Sequence, residues 1–317
     1  MTWTLEQVTT QTGRVAIVTG ANIGLGFEIA MALAGRGCTV VLACRNAEKA
    51  EAAKQRIVST HRNAVVECMP LDLSSLQSVR AFASAFRRHH LRLDLLINNA
   101  GIMMPPYSLT EDGFESQLAA NYLGHFALTG LLLSLITATP GARVVSLSSL
   151  AHRWGGIWFD DLNFSREYNA REAYAQSKLA CLMFAYELQR RLRNAGSTTL
   201  SVAAHPGVSA TNLFKHLPKV ARLFSPLMSI MFQSAKDGAQ PVLYAALGAD
   251  INGGDYIGPK SMGEMRGSPV KVRSNGASRD EAVAARLWSL SEKLTGVQFL
   301  DESSGEGQGS TQSRIQN

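Results

Sequence analysis

The stretch Tyr174-Ala175-Gln176-Ser177-Lys178 places a phenol and an ammonium one helical turn apart within a long amphipathic pattern, Ala170–Asn194. On a helix, residues i and i+4 share one face, roughly 6 Å apart along the axis. A phenol with a pKa of about 10 is a poor acid or base at neutral pH, and a neighbouring ammonium favours its anionic form. The pair can therefore exchange a proton with a substrate oxygen. By itself Y-x-x-x-K is common in helices and can equally serve packing, so the residues upstream matter. The apolar run Ala142–Ser148 leads into Ser148-Ser149, and Ser149 stands 25 residues before Tyr174. A serine hydroxyl at the carboxyl end of a strand can hold a substrate oxygen and stabilise charge developing on it. Ser148 competes for that role, because alternation along a strand points the two side chains opposite ways.

Such a site needs strands that end along one edge of a sheet. Seven short apolar runs supply them: Val15–Thr19, Thr39–Ala43, Val65–Met69, Leu93–Asn98, Ala142–Ser148, Leu200–His205 and Asp255–Gly258. Helical patterns alternate with these runs at Gly24–Gly35, Ala47–Thr60, Leu76–Arg88, Thr110–Thr137, Ala170–Asn194, Ala235–Leu247 and Ser278–Thr295. The alternation requires right-handed crossovers and a parallel sheet with helices on both faces. The expected fold class is α/β, a single domain with a doubly wound, parallel, seven-stranded sheet.

A chain of 317 residues with 46% hydrophobic content can bury a sizeable core, and no Pro- or Gly-rich linker divides it. Residues 1–12 read as an N-terminal extension, 13–300 as the catalytic domain, and the Gly/Ser/Gln-rich residues 301–317 as a disordered tail.

At the first strand-to-helix junction the glycines run Gly20-x-x-x-Gly24-x-Gly26. This is the context of a Rossmann turn, where glycine lets the backbone approach a pyrophosphate and the helix N-terminus offers free N–H groups. The end of the second strand should face the adenosine ribose, and an acid there would select NAD. Here Cys44 and Arg45 occupy that end. A guanidinium binds a phosphate bidentately, so the residue types favour NADP(H) over NAD(H). The alternative is that Arg45 is a surface residue opening the next helix.

Further motifs follow in order: Leu71-Asp72-Leu73, Asn98-Asn99-Ala100-Gly101, Ser148-Ser149 and Tyr174-x-x-x-Lys178. Together with the glycine turn they resemble the short-chain dehydrogenase/reductase family from about Gly13 to about Gly296. Ala43-Cys44-Arg45-Asn46, Ser148-Ser149-Leu150-Ala151-His152 and Arg286-Leu287-Trp288-Ser289-Leu290-Ser291 resemble its retinol-dehydrogenase-like branch. The resemblance implies hydride transfer between a nicotinamide cofactor and a lipophilic carbonyl or alcohol, with Asn121, Ser149, Tyr174 and Lys178 catalytic. It favours Ser149 over Ser148, gives Asn121 a water-positioning role in a proton relay, and has Lys178 also hold the nicotinamide ribose. The implied cofactor residues are Gly20, Asn22, Ile23, Gly24, Leu25, Gly26, Arg45, Asp72, Leu73, Asn98, Ala100, Gly101, Tyr174, Lys178, Pro206, Gly207, Val208 and Thr211. Asp72 would accept from the adenine amino group. Val208 backbone and Thr211 would contact the carboxamide and a phosphate. Asn98 has a structural alternative, tying its strand to its neighbours.

Residues 212–233 fall where the family carries a substrate lid. Their apolar residues, broken by Lys215, Lys219 and Arg222, read either as packing or as an apolar entrance with peripheral membrane contact. The resemblance further implies a homodimer or homotetramer through the helices bearing Asn121 and Tyr174.

The four cysteines lack paired or metal-ligand spacing, and no histidine pattern binds a metal, so no metal is expected. Net charge +6 is spread over polar helix faces and points to no nucleic-acid partner. No signal peptide stands at the start and no run is read as a transmembrane span, giving a cytoplasmic expectation. Two other functions fit the same motifs: a light-dependent enzyme resembling protochlorophyllide reductase, and a catalytically idle nucleotide-binding scaffold.

Overall fold

The computed structural model describes residues 3–208 and 233–299. Eight strands form one sheet in the order β3-β2-β1-β4-β5-β6-β7-β8. They are β1 (Val15–Thr19), β2 (Thr39–Cys44), β3 (Val66–Pro70), β4 (Leu95–Asn98), β5 (Arg143–Leu147), β6 (Leu200–Ala204), β7 (Tyr256–Ser261) and β8 (Arg266–Lys271). The first seven run parallel, and β8 closes the edge antiparallel to β7.

The seven expected parallel strands are present among the described residues, and β8 adds an antiparallel eighth at the edge. Arg266-Gly267-Ser268-Pro269 has no apolar alternation, and proline is tolerated at an edge, where its missing N–H leaves no central ladder bond unmade.

Strand alternation sorts the core into two layers. Ala16, Val18, Val40 and Leu42 face α1 (Gly24–Gly35), α2 (Ala47–Thr60) and α6 (Ala235–Leu247). Val15, Ile17, Val41 and Val144 face the other way, onto α3 (Leu76–His89), α4 (Ser116–Thr137), α5 (Ala170–Asn194) and α7 (Glu281–Thr295). The sheet is buried on both faces, as doubly wound parallel sheets are.

Helix α4 begins at Ser116, later than the expected Thr110. Gly113 turns the chain at φ +81°, and the buried Glu115 carboxylate then caps the Gln117 and Leu118 N–H groups. At Ala119–Leu123 the helix widens to a π-turn, with Gly124 N–H reaching back to the Ala119 carbonyl. Contrary to the sequence reading, α4 is long and apolar enough to cross a membrane, but 72% of its apolar window is buried inside the protein. It is apolar nearly all round because it packs between the sheet and the helices α3, α5 and α7.

Helix α7 seals that layer. Trp288 is almost wholly buried, 5.1 Å from the Phe126 ring, 5.7 Å from Phe184 and 4.4 Å from Phe299, with the Arg191 guanidinium 4.6 Å over it. A Cβ at Gly130 on α4 would collide with Val297 and Phe299. The surface on which the resemblance places a subunit contact is therefore partly covered by the chain itself.

Truncating Trp288 leaves a large cavity between α4, α5 and α7. Trp288→Ala should lower the unfolding free energy by about 3–5 kcal/mol in urea titration. A loss below about 1 kcal/mol would show that α7 is not part of the cooperative core.

Candidate active site

All the sequence-predicted groups in the described residues lie at or just past the carboxyl ends of β1 to β6 or on α4 and α5. Thr211 and residues 212–232 of the expected lid lie outside the described residues.

The strand order reverses between β1 and β4, the switch point where open α/β sheets bind ligands. Gly20 and Gly24 adopt left-handed φ of +65° and +59°. A Cβ on Gly26 would strike the Gly20 carbonyl oxygen and the Asn99 amide, so only glycine lets α1 start this close to β1. The N-cap of α1, Ile23, offers no side-chain oxygen, and no acid lies in the first turn. The N–H groups about Ile23, Gly24 and Leu25 thus begin an uncapped helix with its positive dipole end open, which fits a phosphate-bearing ligand.

At the end of β2, Cys44 is buried. Burial raises its thiol to about 11, outweighing the Ala21 and Asn22 N–H groups that point at it. Arg45 follows, 77% exposed, with Nη1 3.9 Å from Asp72 Oδ2. The other Asp72 oxygen accepts from Ser74 N–H and Oγ–H at 2.9 and 2.5 Å. Asp72 is thereby fixed after β3, and buried Leu73 beside it packs against Gly124 on α4.

Asn98 does not face the switch-point crevice. It is buried, its Nδ2 donating to Thr129 Oγ1 at 3.1 Å, which ties β4 to α4 and supports its structural alternative. Asn99 instead crosses to the glycine turn, with Nδ2 donating to the Thr19 carbonyl at 2.7 Å. Beyond Ala100, Gly101 lies between two catalytic candidates. A Cβ there would come within 3.1 Å of Asn121 Oδ1 and 3.3 Å of Lys178 Nζ.

The Asn121 side chain grips the next residue, accepting Ile102 N–H at 2.8 Å and donating to the Ile102 carbonyl at 3.0 Å. Its Nδ2 also donates to Ser177 Oγ at 2.9 Å. Lys178 is buried and donates from Nζ to the Leu147 carbonyl at 3.2 Å; the same Nζ lies 5.9 Å from the centre of the Tyr174 ring. Tyr174 itself is half-buried.

The two serines part as alternation requires. Ser148 spends its hydroxyl on the Lys178 carbonyl at 2.8 Å, inside the core. Ser149, half-buried, caps the short 3-10 turn Leu150–Trp154 and accepts Ala151 N–H at 3.2 Å. Its hydroxyl proton is left to point elsewhere. Of the two, only Ser149 is placed to serve a ligand.

Past β6, Gly207 takes φ +69° because a side chain would strike the Met265 carbonyl. Val208 gives its N–H to that carbonyl at 3.0 Å, and its own carbonyl accepts Gln233 N–H at 3.1 Å. The expected Val208 backbone contact to a ligand is therefore not met on the N–H side, which the β7–β8 turn already occupies. Gln233 Nε2 also donates to the Pro206 carbonyl.

The profile of the short chain dehydrogenase family matches residues 14–221. The chain belongs to this family. Human retinol dehydrogenase 13 is 43% identical over 295 residues, covering 90% of this chain and 86% of that protein. Retinol dehydrogenase 12 of Bos taurus is 42% identical over 290 residues, covering 90% and 88%. A solved structure of an uncharacterized protein from Mycobacterium Paratuberculosis, 42% identical, covers 95% of this chain and 100% of that one, with TM-score 0.79. A Pseudomonas aeruginosa RhlG/NADP active-site complex shares the fold at TM-score 0.59, with 24% identity over 78% of this chain and 94% of that one. This short chain dehydrogenase is of the retinol-dehydrogenase-like branch, an oxidoreductase of CH–OH groups that uses a nicotinamide cofactor.

Two residues of this short chain dehydrogenase's site escape sequence reading. Thr19 Oγ1 accepts the N–H groups of Asn99 and Ala100, each at 2.9 Å, and lies 2.9 Å from His125 Nε2. His125 Nδ1 lies 2.9 Å from the Asn121 carbonyl. A carbonyl only accepts, so His125 carries its proton on Nδ1, and Nε2 accepts from the threonine hydroxyl. The only signal for His125 was a histidine set inside an apolar helix, which spacing cannot interpret.

Burial drives His125 down to about 4, against the pull of the Asn121 carbonyl and with a push from the Lys178 charge. Unfolding exposes the ring to water, where its pKa is about 6.5. The stabilising effect of keeping His125 neutral is therefore complete above pH ~6.5 and lost as pH falls towards ~4. His152 and His205 are lowered by burial in the same direction. His125→Gln should flatten, without abolishing, the loss of stability between pH 6.5 and 4 in denaturant titrations. An unchanged acid slope would refute the assignment of a neutral, buried His125.

Proposed function

We propose that this chain is an NADP(H)-dependent oxidoreductase that interconverts an apolar alcohol and its aldehyde or ketone. The observation that carries the chemistry is the grouping of Lys178, Asn121 and Gly101 at the switch point, with Tyr174 one turn from Lys178 and Ser149 ending β5. A bound nicotinamide group would supply or take the hydride at the carbonyl carbon. The chain's own residues would handle the oxygen. Ser149 donates a hydrogen bond that orients it and stabilises its developing charge. Tyr174 gives or takes the proton, with the Lys178 ammonium beside its ring. Lys178 can hold that position because the Leu147 carbonyl anchors its Nζ.

Selection of NADP(H) rests on the β2 end. No carboxylate ends β2 itself, the Cys44 thiol is neutral, and among the described residues the exposed Arg45 guanidinium pairs with Asp72 at 3.9 Å. A 2′-phosphate would give Arg45 a closer, charge-assisted partner.

The apolar substrate class rests on the rim. Trp154, Trp158, Ile102 and Met262 are all partly or largely exposed, and they sit on the segments that follow β4, β5 and β7. The retinol dehydrogenases among the relatives accord with a small lipophilic alcohol or carbonyl. The free thiols Cys38, Cys44, Cys68 and Cys181 suit a reducing compartment such as the cytoplasm.

Tyr174→Phe should lower kcat about 10²- to 10⁴-fold in an NADPH-coupled panel of aliphatic, aromatic and polyene aldehydes. NADPH affinity should stay close to wild type. Equal turnover by both proteins would favour an idle scaffold.

Wild type should bind NADPH at least about tenfold more tightly than NADH by fluorescence titration, and Arg45→Ala should erase most of that difference. Equal affinities in wild type would overturn the cofactor assignment.

A further inference from the structure

Three charged or titratable side chains unused by this chemistry meet beside the Pro206–Val208 loop, each from a different element. Glu264 stands in the turn between β7 and β8, His205 immediately follows β6, and Arg153 lies in the short helix that Ser149 caps. Arg153 Nη2 is 2.7 Å from Glu264 Oε1, and His205 Nε2 is 3.1 Å from Glu264 Oε2. His205 is wholly buried, and its Nδ1 accepts the Gly207 N–H at 3.2 Å. The proton is then on Nε2, which donates to Glu264. One carboxylate thus grips the serine turn through one oxygen and the cofactor loop through the other.

The backbone around Glu264 carries the marks of a fixed turn. Glu264 sits at φ +68° and Met262 at φ +52°, conformations rare for residues other than glycine. The next carbonyl, of Met265, accepts Val208 N–H and bars any side chain at Gly207. On the serine side, His152 Nδ1–H donates to the Ser149 carbonyl at 2.6 Å, and Asn275 Nδ2 donates to the His152 and Arg153 carbonyls at 3.2 and 3.3 Å. The Tyr256 ring of β7 stands between the two imidazoles, 5.5 Å from His152 and 5.2 Å from His205.

We propose that Glu264 is a positioning residue: it sets the Pro206–Val208 loop against the Ser149 turn, and so governs how the nicotinamide half of the cofactor and the substrate oxygen are presented to each other. This rests on the NADP(H) reading above. Arg45 and Asp72 follow β2 and β3, at the opposite end of the strand order from β6, β7 and β8. Loss of Glu264 should therefore leave the adenosine half untouched. An ion pair with a purely structural role would instead change stability without discriminating between the two halves.

The test compares affinities for NADPH and for adenosine 2′,5′-bisphosphate, which carries only the adenosine half, in wild type, Glu264→Gln, Glu264→Asp and Arg153→Met. Glu264→Gln should weaken NADPH about tenfold and lower kcat by a similar factor, as small misplacements near reacting groups do. The bisphosphate should bind within about twofold of wild type, Glu264→Asp should recover part of the loss, and the double variant with Arg153→Met should be no worse than Glu264→Gln alone. Arg153→Met removes only the half-exposed arm, so it tests the idea even where Glu264→Gln folds poorly. NADPH binding unchanged in both Glu264→Gln and Arg153→Met, or NADPH and bisphosphate weakened alike, would overturn the proposal. Wild type that binds neither NADPH nor NADH would overturn the nucleotide reading itself, which separates the two failures.

Discussion

Two backbone turns must come within touching distance at the switch point, and the Thr19 hydroxyl is what lets them. The turn after β4 points the N–H groups of Asn99 and Ala100 at the end of β1; that of Asn99 also reaches the Ile97 carbonyl at 2.9 Å, while Gly20 N–H in the turn after β1 is taken by the Ala43 carbonyl at 2.8 Å. Buried donors without partners cost about 1–3 kcal/mol apiece. Thr19 Oγ1 accepts two of them, from Asn99 and Ala100, while Asn99 returns a bond to the Thr19 carbonyl. Glycine at positions 20 and 26 removes the side chains that would hold the turns apart. The crevice in which a cofactor is expected is thus a consequence of satisfied backbone and missing Cβ atoms. It needs no large cavity cut into the core.

With both its lone pairs occupied, the threonine hydroxyl has one proton to give, and it lies between His125 Nε2 at 2.9 Å and the Ile97 carbonyl at 3.3 Å, the imidazole being the nearer acceptor. The imidazole passes the polarity on to the Asn121 carbonyl, which also accepts the Cys181 thiol at 3.1 Å. Asn121 sits within the π-turn of α4, a local widening that alters which carbonyls the helix itself uses. The glycine turn, the β4 turn and α4 are therefore one hydrogen-bonded unit. Its parts polarise one another, and a charge on His125 would reverse the role of Nε2 from acceptor to donor. That requirement explains why a histidine can lie fully buried beside a lysine: it is useful there only as a neutral relay of orientation.

Much of this was legible beforehand because it depends on local chemistry. Glycine spacing at a strand–helix junction, a tyrosine one turn before a lysine, and an arginine where an acid would select NAD all carry their meaning in residue type. Ser148 and Ser149 could not be told apart by alternation alone. The choice rests on which one faces the Lys178 carbonyl, a contact across 30 residues. Thr19, His125 and Glu264 were illegible, and Asn98 was left between a cofactor role and a structural one, for the same reason: their partners come from other elements. Strand β8 was missed because an edge strand needs no apolar alternation, and the late start of α4 follows from a turn at Gly113 and a glutamate cap. The apolar run of α4 resembles a membrane span only until the sheet and α7 are laid against it.

Strand order also separates two demands on the same ligand. On the proposed reading, cofactor choice would be made beyond β2 and β3, where Arg45 is exposed and 3.9 Å from Asp72, so substitutions there disturb little else. The proposed chemistry would be assembled beyond β4, β5 and β6, where Lys178, Asn121 and Ser148 are buried and hydrogen-bonded. A change at the first end alters a surface charge; a change at the second leaves buried polar groups without partners. On the proposed reading, the identity of the nicotinamide cofactor would be only weakly tied to the reaction, with the surface residue following β2 carrying that choice.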